Sequence, residues 1–257
     1  MTEPHPSFPD LADASVFITG GGSGIGAALT DGFLAQGARV AFIGRRDAAG
    51  FVDEMAARHD RAPMFIQGDI TDTDHLRAAI AEAAQAHGPI TVLVNNAAND
   101  QRHTLAGTTP DFFDDMIAVN LKAYFFAAQA VAPGMIALGG GTIVNFSSIS
   151  YMMGNADYPV YAAANAGITS LTRSLARELG PSGVRVNALA PGWVLTQKQL
   201  DKWATPEDLA AHLARQCLPR HLEPRDMVAP VLFLASNAST MMTGQCMAVD
   251  GGVVVSG

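Results

Sequence analysis

Short apolar runs recur along this chain, separated by longer stretches with helical spacing. Val16-Phe17-Ile18-Thr19 is one such run and ends at glycines; Ile25, Leu29, Phe33 and Leu34 follow it on one helical face. The strand signal returns at Arg39–Ile43, Met64–Ile66, Val92–Val94, Thr142–Phe146, Val184–Ala188 and Cys246–Val249. Helical patterns lie between these runs, most clearly near residues 73–87, 110–137, 158–179 and 225–235. Strands alternating with helices of this length predict βαβ units: an α/β fold with a doubly wound parallel sheet and helices on both faces.

No repeat or low-complexity linker divides the chain, so residues 15–257 read as one domain. Residues 1–14, rich in proline and acid, predict an extended N-terminal arm. The alternation breaks between Trp193 and Arg220, where Thr205-Pro206-Glu207 marks a helix start with proline at the first helical position. An insertion before the last strand, on the carboxyl side of a parallel sheet, suits a substrate lid over about 193–220; a surface helical hairpin is the other reading.

Composition narrows the function. The 257 residues are 49% apolar and 16% charged, enough for the core of one large domain. A net charge of −8, with lysines only at Lys122, Lys198 and Lys202, argues against a nucleic-acid partner. Cys217 and Cys246 are isolated, without metal-ligand spacing; no metal site is expected, and a reduced intracellular compartment fits best. The opening residues lack the regions of a signal peptide, and no uninterrupted apolar stretch reaches the ~18 residues of a membrane span. The expectation is a cytoplasmic protein with no membrane partner.

The chemistry begins at Thr19-Gly20-Gly21-Gly22-Ser23-Gly24-Ile25-Gly26, between the first strand and the first helix. Glycines there let the backbone turn sharply and approach a pyrophosphate at the helix N-terminus. The spacing is Gly-x-x-x-Gly-x-Gly at Gly20, Gly24 and Gly26. Cofactor choice is read at the end of the second strand, where Ile43 is followed by Gly44-Arg45-Arg46 and no acid. Forked arginine donors suit a 2′-phosphate, so NADP is favoured and NAD stays possible.

Further motifs stand in order along the chain. They are Asp69-Ile70, Asn95-Asn96-Ala97-Ala98, Asn120, Ser148 thirteen positions before Tyr161, Pro191-Gly192 with Val194 and Thr196, and Asp250-Gly251-Gly252. With the glycine turn, they resemble the short-chain dehydrogenase/reductase family over essentially the whole chain from about residue 14. The resemblance implies a Rossmann-type fold. It also implies cofactor contacts at Gly20, Ser23, Gly24, Ile25, Gly26, Arg45, Arg46, Asp69, Ile70, Asn96, Ala97, Ala98, Pro191, Gly192, Val194 and Thr196. By the same likeness Tyr161 is the acid/base, Ser148 orients the substrate oxygen and Asn120 supports a water chain. The long helices at 110–137 and 158–179 resemble those that pack between subunits of family tetramers, implying a homo-oligomer.

One position departs from the pattern. The family's tyrosine is followed four residues later by a lysine that lowers its pKa and holds the nicotinamide ribose; here that residue is Asn165. Free tyrosine has a pKa of about 10 and is a poor base at neutral pH. Asparagine can hydrogen-bond a ribose hydroxyl but carries no charge, and losing an opposite charge at about 4–6 Å raises a pKa by ~1–3 units. Three readings stay open: a variant form, an enzyme that uses another cation or a high pH, and a nicotinamide-binding protein without turnover.

For substrate, Asn99-Asp100-Gln101-Arg102-His103 resembles a segment of the family's aldose 1-dehydrogenases, as do Lys202–Glu207 and Gln216-Cys217-Leu218. The implied reaction oxidises the C1 hydroxyl of a sugar to the lactone, with Asn99, Arg102, His103, Ser150, Tyr151, Trp193 and Gln197 about the sugar. Arg102 and Lys198 leave an acidic or sulfonated sugar open. A ketone or 3-oxoacyl reductase is the alternative within the family.

Overall fold

In a computed structural model, which describes residues 6–255, seven parallel strands form one sheet. They are β1 (Ser15–Thr19), β2 (Arg39–Gly44), β3 (Met64–Gln67), β4 (Val92–Asn95), β5 (Gly141–Phe146), β6 (Val184–Pro191) and β7 (Cys246–Val249), in the order β3-β2-β1-β4-β5-β6-β7. Each expected run is a strand, and Cys246–Val249 keeps its expected bounds. The order reverses between β1 and β4, and ligands of such sheets bind in the crevice at the carboxyl ends there.

Both faces of the sheet are covered, which is why the strands read as nearly unbroken apolar runs. Val16, Ile18, Val40, Phe42 and Val94 point into one core with Leu29 and Phe33 of α1 (Gly24–Ala35). Phe17, Ala41, Ile43, Leu93 and Ile143 point into the other. Each Leu or Phe fully buried this way stabilises the fold by about 1.5–3 kcal/mol.

α2 (Ala49–Arg58) and α3 (Thr73–His87) complete the first half. Asp72 caps α3 by accepting from Asp74 N and His75 N, and Gly88 ends it at φ +85°.

The helix expected over 110–137 is not continuous. α4 (Pro110–Ile117) and α5 (Ala123–Leu138) are joined by a π turn at Ala118–Lys122, which contains Asn120. Pro110–Leu138 is long and apolar enough to cross a membrane by composition, yet Ala123, Tyr124, Ala127, Val131 and Met135 face the protein core.

The second half holds α6 (Ser150–Met153), α7 (Pro159–Leu179), α8 (Gln197–Lys202), α9 (Pro206–Leu213) and α10 (Val228–Ala235). Thr205 caps α9 and Pro206 opens it, at the expected start.

The expected extended arm is a correction. Residues 1–5 lie outside the described part, but Pro9–Leu11 forms a 3-10 turn with Leu11 2% exposed. Phe8 N donates to Gln36 Oε1 at 2.7 Å, so burying one leucine fastens the segment to the domain.

Candidate active site

Every residue given a catalytic, cofactor or substrate role in the sequence except Tyr151 lines one cleft at the carboxyl ends of the strands. Its volume of about 1870 Å³ exceeds the ~300–1,000 Å³ of a pocket for a single small molecule, leaving room for a dinucleotide and a second ligand.

The dinucleotide end is built from backbone. Gly20 and Gly24 have φ of +71° and +54°. A Cβ on Gly26 would lie 2.0 Å from Gly20 O, so only glycine lets α1 pack on the turn. The Asn96 amide donates to Thr19 O and Gly20 O, and Thr19 Oγ1 accepts from Asn96 N and Ala97 N, so the Asn-Asn-Ala motif braces the glycine turn. Ser23 makes no side-chain capping bond, and the first turn of α1 holds no acid. Those first-turn N–H groups suit the pyrophosphate of a dinucleotide.

At the end of β2, Arg45 lies 3.7 Å from Asp69 with its side chain 74% exposed. Burial opposes ionisation of Asp69, but hydrogen bonds from Thr71 and the Arg45 charge prevail and hold its carboxyl below the usual range. The Thr196 methyl reaches Gly24, bringing the segment after β6 against the turn.

Deeper in the cleft, three segments converge on Tyr161. Ser148 Oγ accepts from Ser150 N at 3.1 Å. Asn120 and Asn99 are doubly joined: Asn99 N donates to Asn120 Oδ1, and Asn120 Nδ2 donates to Asn99 O and Met116 O. The π turn thus aims Asn120 at the loop after β4. Asn165 is 3% exposed. Burial pushes the Tyr161 hydroxyl up to about 12 and the Asp100 charge adds to this; hydrogen bonding with Ser148 and Asn165 acts the other way without offsetting it.

One expected substrate residue is a correction, and a second carries a structural role as well. Tyr151 turns away, with its hydroxyl against Cys246 Sγ and its ring beside Met152, Met153 and Val253–Val255. Successive residues on a helix point about 100° apart, so α6 turns Ser150 into the cleft and Tyr151 out of it. His103 lines the cleft, but both ring nitrogens are engaged. Nδ1 lies 2.9 Å from Gln101 O, and Nε2 accepts from Val160 N at 3.0 Å. His103 therefore caps α7, where Pro159 supplies no donor and Tyr158 makes no side-chain cap.

The remaining substrate residues stay together. Arg102 lies over the Tyr158 ring (4.7 Å) and near Trp203 (5.9 Å). The Trp193 indole donates to Gln199 Oε1 and the Gln197 amide to Asp201. Ser150 Oγ is buried without a partner among the described residues. The sequence assigns no individual role to Asp100 or Tyr158, whereas Gln199 reads there as one of the polar residues of the substrate pocket. Tyr158 precedes Tyr161 by one turn, a spacing that could have revealed it; Asp100 had no signal beyond its place in the Asn99–His103 segment. Among the described residues no cluster of His, Cys, Asp and Glu could hold a metal.

A glycine turn at the switch point and a half-buried Ser148–Tyr161 pair beside it define a nucleotide-binding oxidoreductase of Rossmann type. A family model described as enoyl-(acyl carrier protein) reductase matches residues 20–254. The chain is 49% identical over 98% of its length to the whole of a Rhizobium meliloti (strain 1021) protein named "Probable galactose dehydrogenase GalD". It is 45% identical over 95% of its length to D-xylose 1-dehydrogenase of Caulobacter vibrioides, covering 97% of that protein. A blue fluorescent protein from a metagenomic library, solved in complex with NADPH, superposes with a TM-score of 0.88 at 34% identity, covering 96% of this chain and 100% of that one. The chain belongs to the short-chain dehydrogenase/reductase family and is an NAD(P)-dependent oxidoreductase acting on CH–OH groups.

Proposed function

We propose that the protein is an aldose dehydrogenase that oxidises the C1 hydroxyl of a sugar to the lactone, with NADP favoured over NAD. The observation that carries this reading is the polar lining of the cleft that Tyr161 shares with Ser148, Ser150, Asn99, Arg102 and Gln197 and with the tryptophans Trp193 and Trp203. Hydroxyls need many partners and sugar faces stack on aromatic rings, whereas a 3-oxoacyl chain needs an apolar channel. The names of the galactose and xylose relatives support the same substrate class. A reductase remains the alternative, and a 3-oxoacyl-[acyl-carrier-protein] reductase of Thermotoga maritima is 36% identical.

The bound nicotinamide would accept the hydride. Tyr161 takes the hydroxyl proton, Ser148 holds the same oxygen, and Asn120 with Asn99 O leads the proton outward. Asn165 offers the ribose a hydrogen bond without a charge. Residues 193–220 act as the lid, and Arg102 and Lys198 admit an acidic or sulfonated sugar. Exposed Phe113, Phe125, Ile136 and Leu138 on the outer face of α4 and α5 fit a homo-oligomer, a tetramer by family likeness, in the cytoplasm. The second reading, a nicotinamide-binding protein without turnover, is favoured by Asn165 alone.

Steady-state reduction of NAD⁺ and NADP⁺ over a panel of aldoses, from neutral pH to about pH 10 where free tyrosine ionises, tests this. Turnover of one aldose supports the reading. Turnover of ketones or 3-oxoacyl esters with no aldose activity sinks it in favour of the reductase, and cofactor binding without turnover at any pH sinks it in favour of the binding protein.

A further inference from the structure

The loop after β4 touches both sides of the cleft. Its Asp100 carboxylate accepts from Lys198 Nζ and from the Gln199 amide, in the first turn of α8. Its His103 accepts from Val160 N at the start of α7. Arg102, between them and exposed, has its guanidinium carbon over two rings at once: 4.7 Å from the centroid of Tyr158 and 5.9 Å from that of Trp203.

The two rings belong to different elements. Tyr158 immediately precedes α7 and is buried, and its ring stands edge-on to that of Tyr161, with centroids 6.0 Å apart and planes at 83°. Trp203 ends α8: its backbone N–H donates to Gln199 O, while its indole N–H is buried without a partner among the described residues. No hydrogen bond therefore holds the Trp203 ring, and its contact with Arg102 joins the end of α8 to the start of α7. A guanidinium is planar and weakly hydrated, so it can serve two rings; an ammonium is a compact, strongly hydrated point charge. Stacking engages the guanidinium faces and leaves its N–H edges for a substrate oxygen.

We propose that Arg102 is a positioning residue for the reaction: it joins Trp203 of the lid to Tyr158, and through the Tyr158 ring it sets the orientation of Tyr161 when the lid is seated. Asp100 holds the first turn of α8 and Arg102 its last residue, so one loop fixes both ends of that helix beside the cleft. Without the guanidinium, Trp203 loses its seat and Tyr158 loses the contact opposite Tyr161. This rests on the reading of Tyr161 as the acid/base.

The test is a double-mutant cycle of Arg102→Met and Trp203→Leu, with Arg102→Lys beside it, read by kcat and KM. Trp203 fluorescence, taken as the difference from the matching Trp203→Phe form, is the second readout. Each single variant is expected to lower kcat about two- to thirtyfold, the worth of a cation–π contact, and the double variant to fall little further than either. Arg102→Lys keeps the charge and is expected to fall with Arg102→Met. In Arg102→Met the Trp203 emission is expected to move to longer wavelength with no substrate present, as the ring meets water. Additive losses, a rise in KM with kcat intact, full activity in Arg102→Lys, or an unmoved emission each overturn the proposal, and the first two would leave Arg102 as a substrate ligand alone. If a ketone and no aldose is turned over, with the losses coupled and the emission shifted, the sugar reading falls and the role of Arg102 stands. If an aldose is oxidised with additive losses, Arg102 loses this role and the sugar reading stands. No turnover in any form sinks both.

Discussion

The Asn165 side-chain amide donates to the main-chain carbonyl of Tyr161, 2.9 Å away and one turn earlier on the same helix. The position where the family resemblance implies a lysine is thus partly turned back on its own backbone. Asn165 O accepts from Ser147 Oγ at 3.0 Å, which fixes this turn of α7 against the end of β5. The phenol and its serine are consequently held in place, while the charge that would ionise the phenol is missing.

Replacing Asn165 by lysine should restore it. An ammonium about 4–6 Å from the phenol favours the tyrosinate by ~1–3 units, so turnover at neutral pH should rise at least tenfold and the rate should level off at a lower pH. A kcat profile that is only scaled, with its midpoint unmoved, would contradict this account of Asn165.

The same raised ionisation predicts how stability varies in alkali. Tyr161 ionises at about 12 in the folded protein and at about 10 when unfolded, so between these values the unfolded chain has released a proton that the folded one keeps. Its contribution is complete below about pH 10 and is lost as pH rises toward about 12. Tyr124, pushed up mainly by burial, acts in the same direction. Denaturant unfolding of wild type and Tyr161→Phe across this range should show the shallower decline in the phenylalanine form, and equal slopes would place the burial elsewhere.

His103 is expected to behave as a cap, not a sugar ligand. His103→Ala should cost about 1 kcal/mol, as lost helix caps do, and should lower kcat by loosening the start of α7 while the sugar KM changes little. His103→Asn, which can still accept from Val160 N, should recover part of both. Melting curves and kcat set against KM check this; a rise in KM alone would return His103 to the substrate.

The strands, and the crevice they define, were legible because a parallel sheet buried on both faces leaves short apolar runs bounded by glycine and polar residues. Val184–Ala188 and Thr142–Phe146 could hardly be anything else. Legibility failed where function depends on contacts distant in sequence. Val160 takes its cap from His103, 57 residues earlier, and Lys198 finds Asp100 98 residues earlier. The π turn at Ala118–Lys122 leaves the apolar period of 110–137 almost intact, so no break is visible in the pattern. Tyr151 failed for a local reason: one helical step of about 100° rotates it from Ser150 toward Cys246.

Cofactor choice gives the last prediction. β2 ends at Gly44, and the Arg45 carbonyl is pinned by the Gln67 amide at 3.1 Å, so the backbone after the strand is set while the arginine side chains project outward. Arg45 reaches only a distant contact with Asp69, and no ion pair of Arg46 occurs among the described residues. Both guanidinium groups are thus free to meet a 2′-phosphate, and a charge-assisted hydrogen bond of about 1.5–3 kcal/mol amounts to roughly ten- to hundredfold in binding. The Arg45→Ala, Arg46→Ala double variant should therefore raise the KM for NADP⁺ by that factor and leave that for NAD⁺ nearly unchanged. Parallel titrations of the two cofactors decide it. Equal losses would mean that the arginines read only the shared adenosine half, and that NAD serves as well as NADP.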